Sequence, residues 1–264
     1  MAIYRSISDV PDNFFQGVPV VIPTFNQLTF CKNTIARLKD FGLNNFIILD
    51  NGSTYQPFVE WLNHSEYPAV IDFRNPGPRD FWANSEIYSR LPKNFIVTDP
   101  DLEYPESIPI SLVSDLLEIS KKNSWHKLGL GLSREPADKM MPLVNDWEKN
   151  YWINILAHTP SGDPIYEAKV DTTFALYNKD FVRGPGVLEP EGEFFTAPRI
   201  CGKYICIHLG WYLDAKVPIE EHSYYFENAA KWASTIRETK RVKYSLIAKI
   251  RFLVSRYFPF KELT

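Results

Sequence analysis

Four short apolar runs, each followed by a polar loop, constrain the fold of this chain most strongly. The runs cover residues 18–23, 46–49, 69–73 and 94–98. Their apolar residues are nearly continuous, which is typical of strands buried on both faces of a parallel sheet. Between the first two runs, apolar residues recur at helical spacing, at Leu28, Cys31, Ile35 and Leu38. The alternation predicts an α/β fold with a mostly parallel mixed sheet and helices on both faces.

Polar clusters follow three of these runs where each predicted strand ends. The clusters contain Asp50, Arg79 and Asp99. Ligands of open parallel sheets bind beyond the carboxyl ends of the strands, so the shared placement predicts a ligand site at that edge. Arg79 is predicted there either as a bidentate phosphate contact or as a surface arginine. After the first run, Asn26 is predicted to cap the helix that follows.

The triplet Asp99-Pro100-Asp101 carries the most specific chemistry in the chain. In an extended segment, residues i and i+2 point to the same side, and Pro100 biases Asp99 away from helix. Two carboxylates held close together are costly unless a cation neutralises them, and such hard oxygen ligands suit Mn²⁺ or Mg²⁺. The triplet therefore predicts a divalent metal on Asp99 and Asp101, with ordinary turn chemistry as the alternative.

Composition and charge exclude several classes of protein. The 264 residues carry a formal net charge of −3, so no overall basic field indicates a nucleic-acid partner. Cys31, Cys201 and Cys206 lack zinc or redox spacing and predict reduced thiols in a cytosolic setting. Residues 1–15 do not have the pattern of a signal peptide, and no run approaches the ~20 apolar residues of a membrane span. We therefore expect a cytoplasmic protein.

Three motifs in order give the chain a family resemblance. Residues 20–26, Val-Val-Ile-Pro-Thr-Phe-Asn, resemble the opening strand and loop of GT-A-fold glycosyltransferases similar to family 2. Residues 48–54, Ile-Leu-Asp-Asn-Gly-Ser-Thr, resemble their second strand and its Asp-containing turn. Residues 97–101 lie where that fold carries its Asp-X-Asp metal motif. The stretches 170–177 and 208–212 look like bacterial surface-polysaccharide transferases of this group.

The resemblance implies roles for individual residues. The implied nucleotide-binding residues, besides Arg79, are Pro23, Thr24, Phe25, Asn26, Asp50, Asn51 and Asp99. Asp99 and Asp101 are implied to hold a metal that bridges the diphosphate, with His208 as the third ligand. Trp211 is implied to pack on the sugar or the acceptor.

Inverting transfer needs a carboxylate that deprotonates the acceptor hydroxyl. Asp171 opens the apolar run 170–177, predicted to be a strand, and is expected near a wall of the cleft. Glu191 and Glu193 lie in a loop rich in Gly, Pro and Glu, of the kind that closes over an acceptor. We predict Asp171 and Glu191 as catalytic candidates and Glu193 as an acceptor contact. The chain departs from family 2 in lacking a clear Glu-Asp pair, which leaves the anomeric outcome open.

The chain is predicted to form one α/β domain followed by a tail. The domain covers residues 1–215, with a nucleotide-binding half at about 18–101 and an acceptor half at about 102–215. The tail, 216–264, is predicted to be helical, and its residues 240–260 mix basic and apolar side chains. This composition is typical of a helix that lies on an anionic membrane surface, which would be the inner face of the membrane. The alternative is a helix docked on the domain.

The predicted function is a metal-dependent glycosyltransferase. Such an enzyme would move a sugar from a nucleotide-diphosphate sugar, a UDP-sugar being favoured, to a hydroxyl of a cell-surface glycan or related acceptor. One alternative is a sugar nucleotidyltransferase, which would normally show a Gly-rich phosphate loop and a Lys after the first strand; residues 23–26 have neither. The other is a non-catalytic module that binds glycans or a partner, against which the intact Asp99-Pro100-Asp101 triplet argues.

Overall fold

Strands and helices alternate through most of the chain. The computed structural model describes residues 3–78, 84–181, 196–212 and 217–229. The helices are α1 (Leu28–Asp40), α2 (Gln56–His64), α3 (Ser85–Arg90), α4 (Leu112–Asn123), α5 (Pro142–Glu148) and α6 (Ile219–Asn228). The strands are β1 (Ile3–Tyr4), β2 (Val20–Thr24), β3 (Phe46–Asp50), β4 (Ala69–Ile71), β5 (Asn94–Val97), β6 (Leu102–Glu103), β7 (Lys127–Leu132), β8 (Ile155–His158), β9 (Pro164–Lys169), β10 (Ala175–Asn178) and β11 (Thr196–His208). Short 3-10 helices cover Ile7–Asp9, Asp12–Phe15, Lys149–Tyr151, Lys179–Phe181 and Leu209–Trp211.

Within the described ranges these strands form a single mixed sheet. Their order is β1-β4-β3-β2-β5-β10-β7-β11-β9-β8, and β6 pairs with β11 beside that path. The first five strands in this order are parallel, and β7 is parallel to β11. Strand β10 lies antiparallel between β5 and β7. Counted from β2, the order β4-β3-β2-β5 is the 3-2-1-4 order of doubly wound nucleotide-binding sheets, with a topological switch point between β2 and β5.

Two apolar layers cover the sheet. On one face, Val20 and Ile22 of β2 pack in a core that includes residues of α1, α2 and α4. On the other face, Val21 packs in a second core that includes residues of α3 and the 3-10 helices Ile7–Asp9 and Asp12–Phe15. Because both faces are covered, the continuous apolar runs of the sequence are buried. The predicted fold class, a Rossmann-like GT-A arrangement with a mostly parallel mixed sheet and helices on both faces, is confirmed.

The two ends of α1 differ in how well the sequence predicts them. The helix ends at Asp40, and Gly42 follows with a φ of 80°, which suits a helix stop. The prediction that Asn26 caps α1 is wrong. Asn26 adopts a φ of 55°, and its Oδ1 accepts hydrogen bonds from the backbone N–H groups of Thr54 and Tyr55. Its side chain therefore joins two strand-end loops.

The second half departs from the sequence-based expectation at two strands. The strand predicted over 170–177 begins at Ala175, because Oδ1 of Asp171 accepts the backbone N–H of Thr173 and the chain turns there. Strand β11 is longer than the apolar run before His208 indicates, and its register against β7 shifts between Ile200 and Ile205.

Several sequence-based predictions lie partly or wholly outside the described residues. Arg79, Glu191, Glu193 and the basic segment 240–260 are among the residues left undescribed. Of the predicted helical tail, α6 is described and is helical. The division into domain and tail stays a prediction. No helix in the described ranges is long and apolar enough to cross a bilayer, and all three cysteines are buried and free.

Candidate active site

The carboxyl ends of β2 and β3 place two predicted site residues side by side. Thr24 pairs with Asp50 in the parallel register, and the backbone N–H of Asn51 donates to the carbonyl of Thr24 at 2.9 Å. Asn51 also reaches the next loop, since its Oδ1 accepts the backbone N–H of Gly77 at 3.0 Å. Pro23 is buried within β2, and Phe25 is half-buried just beyond it. The predicted nucleotide-binding residues on these two strands therefore share one edge of the sheet.

Asn26 and Thr24 have buried polar atoms that the described protein leaves unpaired. Nδ2 of Asn26 and Oγ1 of Thr24 have no hydrogen-bond partner among the described residues. Asn26 is held rigidly, because its backbone N–H donates to Oγ of Ser53, and that hydroxyl donates to the carboxylate of Asp50. An unpaired buried donor is costly, so this corner is suited to a ligand that accepts hydrogen bonds.

Asp50 lies at the centre of this corner and is almost inaccessible to solvent. Burial raises the pKa of Asp50 to about 6, although hydrogen bonds from the Ser53 hydroxyl and backbone N–H act in the opposite direction. Below that pH the folded protein carries a neutral carboxyl at the end of β3.

Asp99, Asp101 and His208 form the candidate metal centre. Asp99 and Asp101 follow β5, and His208 ends β11. The short strand β6 brings them together: Leu102 pairs with His208, and the backbone N–H of Leu209 donates to the carbonyl of Asp101 at 2.8 Å. One ligand atom from each of the three side chains lies within 4.8 Å of the others.

The spacing inside this triad fits a cation between its members. Nε2 of His208 lies 3.7 Å from Oδ2 of Asp99, and Nδ1 lies 3.7 Å from Oδ2 of Asp101, both too long for hydrogen bonds. Nδ1 of His208 is buried and has no hydrogen-bond partner in the described ranges. Two carboxylates and an imidazole are a donor set for a divalent metal. The residues present therefore fit such a metal.

The charges in the triad favour a cation beside the two carboxylates. Burial raises the pKa of Asp99, and the nearby carboxylates of Asp171 and Asp101 act in the same direction. For His208, burial acts to lower the pKa, but Asp101 and Asp99 outweigh it and raise the pKa above its ordinary value. Without a metal, a protonated imidazole is therefore the cation that these carboxylates retain.

Two neighbours of His208 shape the triad, and the sequence indicates only one of them. Trp211 stacks on the imidazole, with ring centroids 4.5 Å apart and an interplanar angle of 3°. Gly210 lies against Asp101, where a Cβ would come within 2.4 Å of Oδ2 of that carboxylate. Trp211 was predicted as a sugar or acceptor contact and lies at this site, whereas Gly210 was missed. The signal for Gly210 in the sequence is its position between His208, a candidate ligand, and Trp211.

Asp171 lies at the same edge but in the bend before β10, and it is exposed. The first residue of β10, Ala175, pairs with Val97 of β5, so the bend lies beside the loop that carries Asp99. Lys127 stabilises the bend, because its Nζ donates a hydrogen bond to the carbonyl of Val170. Burial lowers the pKa of Lys127 to about 7, although the carboxylate of Asp171 opposes that shift.

A buried ion pair near the triad was missed by sequence reasoning. Nη1 of Arg199 on β11 contacts Oε1 of Glu148 at the end of α5, and the two side chains are 6% and 3% exposed. Burial raises the pKa of Glu148, while Arg199 and His208 lower it and Asp171 raises it further. The pair therefore belongs to the same electrostatic environment as the candidate metal centre. Nothing in the local sequence signals it, since the partners lie 51 positions apart.

Of three comparisons with known proteins, only the comparison with solved structures finds matches. No protein-family model matches the sequence, and no curated protein sequence matches it. Among solved structures, a mannosyltransferase from Pyrobaculum calidifontis, in complex with GDP-Man and Mn²⁺, is 11% identical, with a TM-score of 0.45 over 90% of this chain and 79% of that chain. A CMP:2-keto-3-deoxy-manno-octonic acid synthetase, in complex with CTP, is 12% identical, with a TM-score of 0.34 over 70% of this chain and 72% of that chain. At these TM-scores neither likeness supports a functional conclusion. Any such conclusion rests on the geometry described above.

Proposed function

We propose that this chain is a metal-dependent glycosyltransferase that uses a nucleotide-diphosphate sugar. The observation that carries the proposal is the convergence of Asp99, Asp101 and His208 at the switch point of a doubly wound sheet. The unpaired polar atoms of Asn26 and Thr24 lie at the carboxyl end of β2, on the same edge of the sheet. A candidate metal centre on the same edge as unpaired polar groups suits transfer from a nucleotide sugar, in which a metal can stabilise the leaving diphosphate.

The metal ligands and the nucleotide-binding residues would have separate tasks. Asp99, Asp101 and His208 would hold Mn²⁺ or Mg²⁺, which when bound supplies positive charge that stabilises the diphosphate leaving group. Asn26 and Thr24 would donate hydrogen bonds to the nucleotide, and Asp50 and Asn51 would contact its base or ribose. Pro23 and Phe25 would form apolar parts of that pocket. Arg79, which follows β4 in the sequence, would add a phosphate contact.

Asp171 is our proposed base for the acceptor hydroxyl. It is exposed at the active-site edge of the sheet, and its negative charge acts on both Asp99 and His208. An accessible carboxylate beside the donor site can accept the proton that the acceptor hydroxyl loses as it attacks. Glu191 is the alternative base, and Glu193 and Trp211 are proposed contacts of the sugar or acceptor.

Finer parts of the proposal follow from the family resemblance. We propose membership of the family 2 type, a UDP-sugar donor and a hydroxyl of a cell-surface glycan as acceptor. Residues 18–101 would form the nucleotide-binding half and 102–215 the acceptor half. The tail, 216–264, would bring a cytoplasmic enzyme to the inner face of the membrane.

One structural observation favours the transferase over a sugar nucleotidyltransferase. A nucleotidyltransferase would hold phosphates in a glycine-rich loop at the first helix N-terminus. Here the backbone N–H of Thr29, in the first turn of α1, donates instead to the carboxylate of Glu221 at 2.8 Å. The negative charge of Glu221 opposes a phosphate at that position.

Thermal unfolding with nucleotides tests the proposal. UDP, GDP, dTDP and CMP would each be added with and without Mn²⁺. We expect one diphosphate to raise the Tm only with the metal, and Asp99→Ala/Asp101→Ala to abolish that rise. Asp138→Ala, which removes an exposed carboxylate outside the site, is the matched control and should behave as the wild type. No shift with any nucleotide would refute both the transferase and the nucleotidyltransferase.

A further inference from the structure

One face of α6 lies against the loops of the candidate nucleotide site. Glu221, Tyr224 and Tyr225 occupy positions i, i+3 and i+4 of the helix, so they project from one face. Glu221 contacts the first turn of α1, and Tyr224 contacts the loop after β3. These two segments adjoin the predicted nucleotide-binding residues 23–26 and 50–51, although α6 follows them by more than 150 positions.

Glu221 attaches α6 to the first turn of α1. Its Oε1 accepts the backbone N–H of Thr29 at 2.8 Å, and its Oε2 accepts the Thr29 hydroxyl at 2.6 Å. The carboxylate is buried, with 2% of the residue exposed. A negative charge at a helix N-terminus is favourable, and α1 has no side-chain cap of its own from Gln27. Glu221 therefore supplies the cap that Asn26 does not.

Tyr224 extends this contact to the loop after β3. Its hydroxyl donates to Oγ1 of Thr54 at 2.9 Å, and its ring lies 5.2 Å from that of Tyr55. The backbone N–H groups of Thr54 and Tyr55 in turn donate to Oδ1 of Asn26. The helix thus spans from the first turn of α1 to the loop that holds Asn26.

We propose that α6 is a wall of the nucleotide site, in which Glu221 and Tyr224 are positioning residues. The inference rests on the proposed function, because it needs a nucleotide at this edge of the sheet. Tyr224 holds Thr54 and lies against Tyr55, and the backbone of these two residues fixes the side chain of Asn26, whose buried Nδ2 is an unpaired donor among the described residues. Glu221 keeps Tyr224 in position by fixing α6 on α1.

Calorimetric titration of the Mn²⁺-loaded protein with UDP, or with whichever diphosphate stabilises it, tests this wall. Glu221→Gln and Tyr224→Phe should each weaken nucleotide binding by about tenfold, which is the effect of losing or misaligning one well-placed hydrogen bond. The matched control is Glu220→Gln, which removes an exposed carboxylate from the same turn of α6 and should bind as the wild type does.

A second pair of variants guards against simple loss of folding. Thr29→Val removes the hydroxyl that donates to Glu221 and should also weaken nucleotide binding. Thr29→Ser keeps a hydroxyl and should bind the nucleotide with wild-type affinity. Hydrogen exchange gives a readout independent of affinity. Adding Mn²⁺ with the nucleotide should slow exchange in residues 219–228 of the wild type, and this slowing should be smaller in Glu221→Gln.

The outcomes separate this inference from the proposed function. Nucleotide binding by the wild type, with all α6 variants within twofold and exchange in 219–228 unchanged, would overturn the wall and leave the transferase standing. Weaker binding in Glu221→Gln alone would overturn the positioning role of Tyr224. Absence of metal-dependent nucleotide binding in the wild type would overturn both.

Discussion

The imidazole of His208 lies flat on the indole of Trp211, with centroids 4.5 Å apart and planes 3° from parallel. The ring of His208 is therefore restrained by a neighbour three residues away, in the 3-10 helix Leu209–Trp211 that follows β11. At the same time the backbone of Leu209 is tied to Asp101. The orientation of one candidate metal ligand and the position of another are thus set by the same short segment.

Removing the stack should weaken metal binding without unfolding the protein. We expect Trp211→Leu to lower Mn²⁺ affinity by about 10- to 100-fold, because partners that orient a metal ligand typically contribute that much. Free Mn²⁺ would be measured by electron paramagnetic resonance during titration. Trp147→Leu, at an exposed tryptophan of α5, is the control and should bind as the wild type does. Equal affinities for all three proteins would show that the stack does not orient His208.

A methyl group at position 210 should disturb the metal centre directly. In Gly210→Ala the new Cβ would lie within 2.4 Å of Oδ2 of Asp101 and 3.3 Å of Cε1 of His208, so the carboxylate must move. We expect Mn²⁺ binding to fall by at least tenfold, while the metal-free Tm changes little because the displaced atom is the end of a side chain. A metal affinity equal to that of the wild type would mean that Asp101 is not held where the structure places it.

The buried carboxyl of Asp50 should make stability depend on pH. Its pKa is about 6 in the folded protein and near the ordinary 3.8 in the unfolded chain. Between these values the unfolded state binds fewer protons, so the free energy of unfolding falls as pH rises. The gap of about two pKa units corresponds to a loss of about 3 kcal/mol, complete above about pH 6.

Urea denaturation from pH 4 to pH 7 measures this loss, and the difference between the wild type and Asp50→Asn isolates it from other titrating groups. The wild type should lose more stability with rising pH than Asp50→Asn does. The exposed Asp9→Asn should keep the wild-type slope. Parallel curves for wild type and Asp50→Asn would contradict the burial effect.

The proposed base has a kinetic signature. Asp171→Asn should lower kcat by about 10²- to 10⁴-fold, the usual contribution of a general base, and leave Mn²⁺ and nucleotide binding unchanged. Initial rates with the accepted donor would be compared with those of Asp138→Asn, at an exposed position outside the site. Full activity in Asp171→Asn would move the role to Glu191.

The parts of the fold that are local in sequence are the parts that the sequence predicts. The apolar runs at 18–23, 46–49 and 94–98 become β2, β3 and β5, because strands buried on both faces need continuous hydrophobic residues. Because the carboxyl ends of parallel strands meet at one edge of a sheet, Asp50 and Asp99 were expected at that edge, and they lie there.

The parts that could not be predicted depend on contacts between distant segments. Strand β6 has two residues and exists because it pairs with β11, about a hundred positions away. Asn26 fails as a cap because its side chain binds a loop that follows β3. The cap comes instead from Glu221, which lies 192 positions after its partner Thr29. Residue pattern and spacing do not reveal such pairings, because these contacts form only when distant segments meet in the assembled sheet.

A crystal grown with MnCl₂ and the stabilising nucleoside diphosphate provides the most direct measurement of the central claim. We predict an anomalous manganese peak within bonding distance of the carboxylates of Asp99 and Asp101 and of the His208 imidazole, with the diphosphate on its open side. Asp99→Ala/Asp101→Ala crystals should lack the peak. A wild-type crystal with bound nucleotide and no manganese at this triad, or with manganese elsewhere, would contradict the account.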